Sequence, residues 1–270
     1  MVIDHANAQG LKVIARIGLT PGWARPPDTS LTYLDETGYD AYAEYAAAFA
    51  TRYANKVDGI IIGNEPNLNY EWGYRPDVGP EDYYLLLKTL YPAIKAAAPD
   101  IEVLCGALAP TLEPEGSQWG TNDLIYLRQL YELGAGDYLD ALAVHSYGLT
   151  FPADFEPAPD LLNFRRVELV REIMVEFGDA DKRMHITEAG WNDHPRWTLA
   201  VRPAQRIQYT LDAFAHAQQH WPSVDTLALW AFRYPAPVQS YPDYFTLVTP
   251  EFVKKPIYLE LQQYAISLNP

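Results

Sequence analysis

The sequence predicts an α/β protein in which strands and helices alternate along the whole 270-residue chain. Three observations predict it. Apolar runs that read as buried parallel strands, marked by Lys12, Gly59, Glu102, Ala141, Met184 and Thr226, are each followed by a segment of helical periodicity, at an interval of roughly 40 residues. The loops before strands are short, as in Ala98-Pro99-Asp100, Ala135-Gly136-Asp137 and Asp179-Ala180-Asp181, whereas the loops after them carry prolines and aromatics. That asymmetry marks the carboxyl ends of the strands as the functional face. Finally, two of the strands stop at a glutamate, Glu65 and Glu188.

Residues 2–10 read as the last two turns of a helix closed by Gly10. A strand follows over 11–18, then a loop dense in helix breakers that carries Trp23. In the helix expected over 39–54, Tyr42, Tyr45, Phe49 and Tyr53 recur at three and four residues and are taken as its buried stripe. The isoleucine-rich run Gly59-Ile60-Ile61-Ile62-Gly63 ends in Asn64-Glu65-Pro66; Pro66 cannot donate to a sheet ladder, so the strand stops where the carboxylate appears. A polar, aromatic loop over 67–79 leads to Pro80, which suits a first helical turn, and the helix is expected to run to residue 98 with a kink at Pro92. Strand 101–108, helix 122–133, strand 139–148, helix 164–177 and strand 183–191 come next. Helix 204–220, strand 224–233, a Tyr/Pro-rich loop over 234–250 and a last helix over 256–267 complete the series.

This gives six βα units where a closed (β/α)8 barrel, the TIM barrel, needs eight. The expectation is a single domain of barrel type over 1–270 with only the third to eighth strands recognisable, truncated at its amino end. An open doubly wound sheet of six parallel strands is the alternative; it gathers its site at one switch point, whereas most strands here carry a candidate functional side chain at the carboxyl end.

Composition narrows the function. A formal net charge of -15, with 20 Lys and Arg spread singly or in pairs, argues against a nucleic-acid partner and against a polyanionic substrate, so a neutral one is expected. Cys105 is the only cysteine, which excludes an intrachain disulfide. No apolar run approaches the ~18 residues of a membrane span, and the first ten residues do not read as a signal peptide. There is no phosphate-binding glycine loop, no paired-cysteine metal spacing and no His-Glu-x-x-His helix, so neither cofactor nor metal is expected. His185 stands three residues before Glu188 and should face the other side of its strand, which removes it from a metal group with Glu188.

Two buried strands that each deliver a glutamate to one end of a sheet suit glycoside hydrolysis, in which a leaving oxygen needs a proton and an anomeric carbon needs a nucleophile or activated water. Glu65 is assigned the acid/base, with Asn64 beside it able to bond a sugar hydroxyl. Glu188 is assigned the nucleophile, with His145 and Tyr147, from an intervening strand, as donors that orient it. Trp230 ends the last strand where its ring could lie under a pyranose. Trp23, Trp72, Trp119, Trp191 and Trp197 fall in loops on the same face, and exposed tryptophan favours a binding cleft.

With Gly-Asn-Glu-Pro at 63–66, His-Ser-Tyr at 145–147, Ile-Thr-Glu-Ala-Gly-Trp at 186–191 and Leu-Trp-Ala-Phe at 229–232, the chain resembles the retaining glycoside hydrolases built on (β/α)8 barrels. That clan includes cellulases, mannanases and β-xylosidases. The resemblance implies a covalent double displacement. The acid/base of the fourth strand falls on Glu65 and the nucleophile of the seventh on Glu188. The sixth-strand His-x-Tyr falls on His145 and Tyr147, and the eighth-strand tryptophan on Trp230. Pro-Gly-Trp-Ala at 21–24 is similar to the cellulase-like and β-xylosidase-like branches. The arginine that such enzymes carry near the end of the second strand has no counterpart, and Arg16 is not placed to replace it. The alternatives kept beside hydrolysis are transglycosylation and an inactive barrel fragment or carbohydrate-binding scaffold.

Overall fold

The computed structural model describes residues 1–75 and 79–268; residues 76–78 of the loop expected over 67–79 lie outside the described residues. Seven α-helices and six strands alternate among the described residues. The six strands form one sheet in chain order, β1-β2-β3-β4-β5-β6, and the pairings β1/β2, β2/β3, β3/β4 and β5/β6 are parallel. A doubly wound sheet reverses its strand order at a switch point. Strictly sequential order excludes that alternative and leaves six consecutive βα units of TIM-barrel type. The chain divides into two compact units, Met1–Ala143 with Glu172–Arg183, and Val144–Arg171 with Met184–Pro270.

The first unit opens with α1 (Val2–Ala8). Its end is the Schellman closure that Gly10 suggests: Gly10 has φ +73, its N–H donates to Asn7 O and that of Leu11 to Ala6 O. Next come β1 (Ile14–Ile17), α2 (Tyr39–Tyr53), β2 (Gly59–Ile62), α3 (Pro80–Ala97), β3 (Glu102–Cys105) and α4 (Asp123–Glu132). Asn122 caps α4, its side chain accepting from the N–H groups of Leu124 and Ile125.

The burial of α2 corrects the sequence reading. Its buried residues are Tyr39, Ala43, Ala46 and Ala50, because alanines let α2 approach α3 closely. Tyr42, Tyr45, Phe49 and Tyr53 run beside that stripe as a ladder of ring contacts, with Tyr45 exposed. Periodicity alone does not distinguish the two faces when alanine fills one of them.

β2 is buried along its whole length. Ile61 joins Leu104, Ala107, Ala141 and Ala143 in one apolar cluster, with Ile14 packed against it. At the carboxyl end Tyr83, fully buried on α3, ties two strands together: its hydroxyl donates to Ile62 O at 2.7 Å and accepts from Gly106 N–H at 2.5 Å. Gly106 is required there, since a Cβ would stand 2.5 Å from Ile62 O.

The second unit holds the carboxyl-terminal part of β4 (Ala141–Tyr147), most of β5 (Arg183–Gly190), α6 (Pro203–His220), β6 (Val224–Leu229) and α7 (Pro256–Leu268). Helix α5 (Arg166–Glu176) begins in it. Register between β5 and β6 steps from Ile186↔Leu227 to Ala189↔Leu229. Three residues of β5 thus match two of β6, a bulge that contains Thr187 and Glu188. Bulges re-aim side chains, so the strand turns irregular where its glutamate emerges. Before the bulge His185, buried, pairs through Nδ1 with Thr226 Oγ1 at 3.0 Å. In α7 only Ile257 is buried, and a groove of ≈ 480 Å³ runs beside it, lined by Leu247, Tyr258, Leu261, Gln262, Ala265 and Ile266.

Candidate active site

In the first unit the carboxyl end of β2 presents Asn64 and Glu65. Glu65 has φ +41 and follows Gly63 at φ +76, so the chain makes a left-handed turn through a residue with a side chain. Such a backbone costs about 1–3 kcal/mol and must be held by its surroundings. The restraint is visible: Gly63 N–H donates to Ile17 O, Glu65 N–H to Ala107 O, and Leu68 N–H to Glu65 O.

Asn67, fully buried, locks the turn. Its Nδ2 donates to Ala109 O and Thr121 O and its Oδ1 accepts from Ala109 N–H. Glu65→Gly is accordingly expected to leave the fold as stable as before or more so, by up to about 1 kcal/mol, which is roughly 2–4 °C in a chain of this size. Thermal unfolding checks it; a fall of several degrees would show that the carboxylate itself holds the turn.

Arg16 Nη1 donates to Asn64 Oδ1, a partner beside Glu65 that the sequence reading did not assign it. With that oxygen occupied, the outward donor of Asn64 is its Nδ2, which matches a hydroxyl lone pair. The sequence did hold a signal, a lone cation inside the apolar run 13–17. Trp23, in the short 3-10 turn Gly22–Ala24, is 90% exposed, and Trp119 is 62% exposed. Trp72, by contrast, is buried and meets Tyr83 edge-on, so it is loop packing and not part of a binding face.

In the second unit β4 and β5 bring three predicted residues together. The Tyr147 hydroxyl donates to Glu188 Oε2 at 2.7 Å, and His145 Nε2, from a buried side chain, lies 3.7 Å from Oε1. A donor on one oxygen and an imidazole beside the other orient the carboxylate. Within this unit His145 and Glu188 are the pair that could approach a cation, two of the three protein ligands a catalytic zinc takes. Gly148 N–H donates to Gly190 O at 3.1 Å and ties the strands together just past Tyr147 and Glu188.

Trp230 follows β6 directly and is half-buried, in contact with Tyr234 and Phe245. Trp191 is 2% exposed, packs against Phe164 and Tyr209 and donates its Nε1–H to Phe151 O; its place is under the site, as support. Two residues without a local sequence signal join the group. Phe245 packs on both Tyr147 and Trp230, and buried Arg206 donates to the carbonyls of Phe245 and Thr246.

No family model and no curated protein sequence matches the chain. Among solved structures it is similar to a family 39 glycoside hydrolase from the gut symbiont Bacteroides cellulosilyticus WH2, at 22% identity and TM-score 0.72 over 98% of this chain and 52% of that one. It is also similar to a glucosidase from Croceicoccus marinus, at 15% identity and TM-score 0.71 over 98% and 52%. A monomeric β-xylosidase from Caulobacter crescentus CB15 matches at 19% identity and TM-score 0.67 over 99% and 55%. These likenesses are of fold: the chain shares the barrel-type architecture of diverse glycoside hydrolases. It spans about half the length of each of these three structures.

Proposed function

We propose that the protein is a retaining glycoside hydrolase acting on β-linkages of a neutral oligo- or polysaccharide. The observation that carries the reading is the Tyr147 hydroxyl on Glu188 Oε2, 2.7 Å away. It holds one oxygen of the carboxylate and leaves the other with lone pairs for attack. In the first step Glu188 attacks the anomeric carbon, the bond to the leaving oxygen breaks, and Glu65 passes its proton to that oxygen. In the second, Glu65 takes a proton from water, the water oxygen attacks the same carbon, and the ester to Glu188 breaks. Asn64 and Trp230 bind the sugar, and His145 and Tyr147 orient the nucleophile. The likeness of the fold to glycoside hydrolases and the two glutamates that the sequence sets at or near the carboxyl ends of strands support this reading.

The test is intact-mass analysis with peptide mapping after incubation with a panel of 2-deoxy-2-fluoro β-glycosyl fluorides. The electron-poor sugar slows release more than attachment, so a retaining enzyme accumulates an adduct on Glu188, and the reagent that reacts names the sugar. Folded protein that forms no adduct with any member would sink the proposal. A binding-only scaffold is the second reading, favoured by the exposure of Trp23 and Trp119; it predicts sugar affinity without adduct.

A further inference from the structure

The segment from Tyr241 to Thr246 carries no residue of the proposed chemistry, yet three side chains from separate parts of the second unit anchor it. Asn192, four residues past Glu188, donates Nδ2–H to Tyr241 O at 3.0 Å. Arg206, on the first turns of α6 and 4% exposed, donates Nη2–H to Phe245 O at 2.6 Å and to Thr246 O at 3.1 Å, while its Nη1 bonds Asp193 Oδ1. Lys255 donates to Asp243 O, Asp243 Oδ1 and Thr246 Oγ1. Burying an arginine is costly unless it is paired and hydrogen-bonded; here Asp193 pairs the charge and the two carbonyls take the rest of the fork, so the group is tolerated and the carbonyls are held.

What the anchors fix is one ring. Phe245, 5% exposed, meets Tyr147 at 5.5 Å between centroids and 68° between planes. It meets Trp230 at 5.1 Å and 71°, and Tyr241 at 5.5 Å and 80°. All three are edge-to-face contacts, the favoured geometry for paired aromatic rings. Phe245 therefore wedges between the residue that donates to Glu188 and the residue expected to lie under the sugar. A tyrosine hydroxyl turns about two side-chain torsions, so it stays on one carboxylate oxygen only if its ring is held.

Resting on the glycosidase reading for its kinetic arm, we propose that Phe245, clamped by Arg206, is a positioning residue that keeps the Tyr147 hydroxyl on Glu188. Its action runs through Tyr147, so its effect should vanish where that hydroxyl is absent. The groups around the clamp are Asp193, Asp243 and Lys255, and those facing Glu188 from β4 are His145 and Tyr147.

The experiment compares wild-type protein, Phe245→Leu, Tyr147→Phe and the double variant. Phe245→Leu keeps the site apolar and nearly filled. It should lower kcat about tenfold with KM within about twofold, and the same substitution in the Tyr147→Phe background should cost less than about twofold. A full tenfold loss in both backgrounds would mean a general packing role and overturn the proposal. Arg206→Lys, which keeps the charge and loses the two-carbonyl fork, should reproduce part of the Phe245→Leu loss.

A second readout needs no activity. With 3-fluorotyrosine placed at Tyr147, its fluorine resonance should move in Arg206→Lys, which keeps the Phe245 ring and its ring current, in the direction that Glu188→Gln moves it; a resonance unmoved by Arg206→Lys overturns the inference. Wild-type protein that hydrolyses nothing would defeat the glycosidase reading, and the fluorine result would still decide this one.

Discussion

Under the proposed mechanism Glu188→Gln is expected to lower kcat at least about a thousandfold, because the amide is isosteric but cannot form and release the glycosyl ester. Glu65→Gln should cost about 100- to 10,000-fold on substrates whose leaving group needs a proton. The two losses should be told apart by the leaving group. A dinitrophenolate departs without a proton, so the first step of Glu65→Gln should be nearly normal on that substrate and the glycosyl-enzyme should accumulate. Glu188→Gln should remain inactive on it.

Small anions extend the distinction. Azide entering the space opened by Glu188→Gly attacks from the side the carboxylate occupied and gives an inverted glycosyl azide, whereas azide rescue of Glu65→Gly intercepts the ester and gives a retained one. Chromatography and NMR of the products check both. Activity that survives Glu188→Gln would end the assignment of this residue.

Gly148→Ala is expected to be the most damaging single methyl in the second unit. A Cβ at Gly148 would stand 1.9 Å from Trp191 Cε2 and 2.0 Å from Nε1, closer than any side chain can accommodate. The indole cannot simply retreat, because it lies between Phe164 and Tyr209 and its N–H is bonded to Phe151 O. Either the β4 end moves or the indole leaves, and the cost should be about 3–5 kcal/mol, in the range of losing a buried tryptophan. Because Gly148 N–H also holds Gly190 O, the spacing of Tyr147 and Glu188 changes with it, so activity should fall even below the melting transition. Denaturant unfolding measures the loss. A Trp191→Leu companion should recover part of it, and a strictly additive double variant would show that the clash is relieved elsewhere.

Much of this architecture is legible in the residues. The six strands and their helices follow from apolar runs and breakers, because a strand buried on both faces admits little but β-branched and small residues, as in Gly59-Ile60-Ile61-Ile62. The ladders are shorter than the apolar runs: β3 ends at Cys105, although the run continues through Leu108, because Gly106 is taken by Tyr83. Pro66 marks where Glu65 leaves its strand, just past the ladder that ends at Ile62; Glu188 was expected to end its strand, but β5 runs on to Gly190, because the bulge turns Glu188 outward without breaking the ladder. What failed was identifying faces and distant partners. In α2 alanine outcompeted the aromatics for the close contact. Trp72 and Trp191 share the loop positions of the exposed tryptophans, but exposure depends on what folds over a ring. Arg206 and Phe245 meet across 39 residues of sequence, and no local pattern encodes such a pairing.

Main-chain and side-chain hydrogen bonds tie the loops of the first unit to one another. Thr32 Oγ1–H donates to Tyr70 O at 2.7 Å, Asn69 N–H donates to Trp119 O, and Thr121 N–H donates to Asn67 O. Asn69 Nδ2–H also donates to Gln118 O. The chain just past Glu65 and the loop that displays Trp119 are therefore ordered before anything arrives. A guest meeting residues 67–70 and 118–121 would have little backbone left to freeze there, and each residue already immobilised leaves more of the contact energy as affinity.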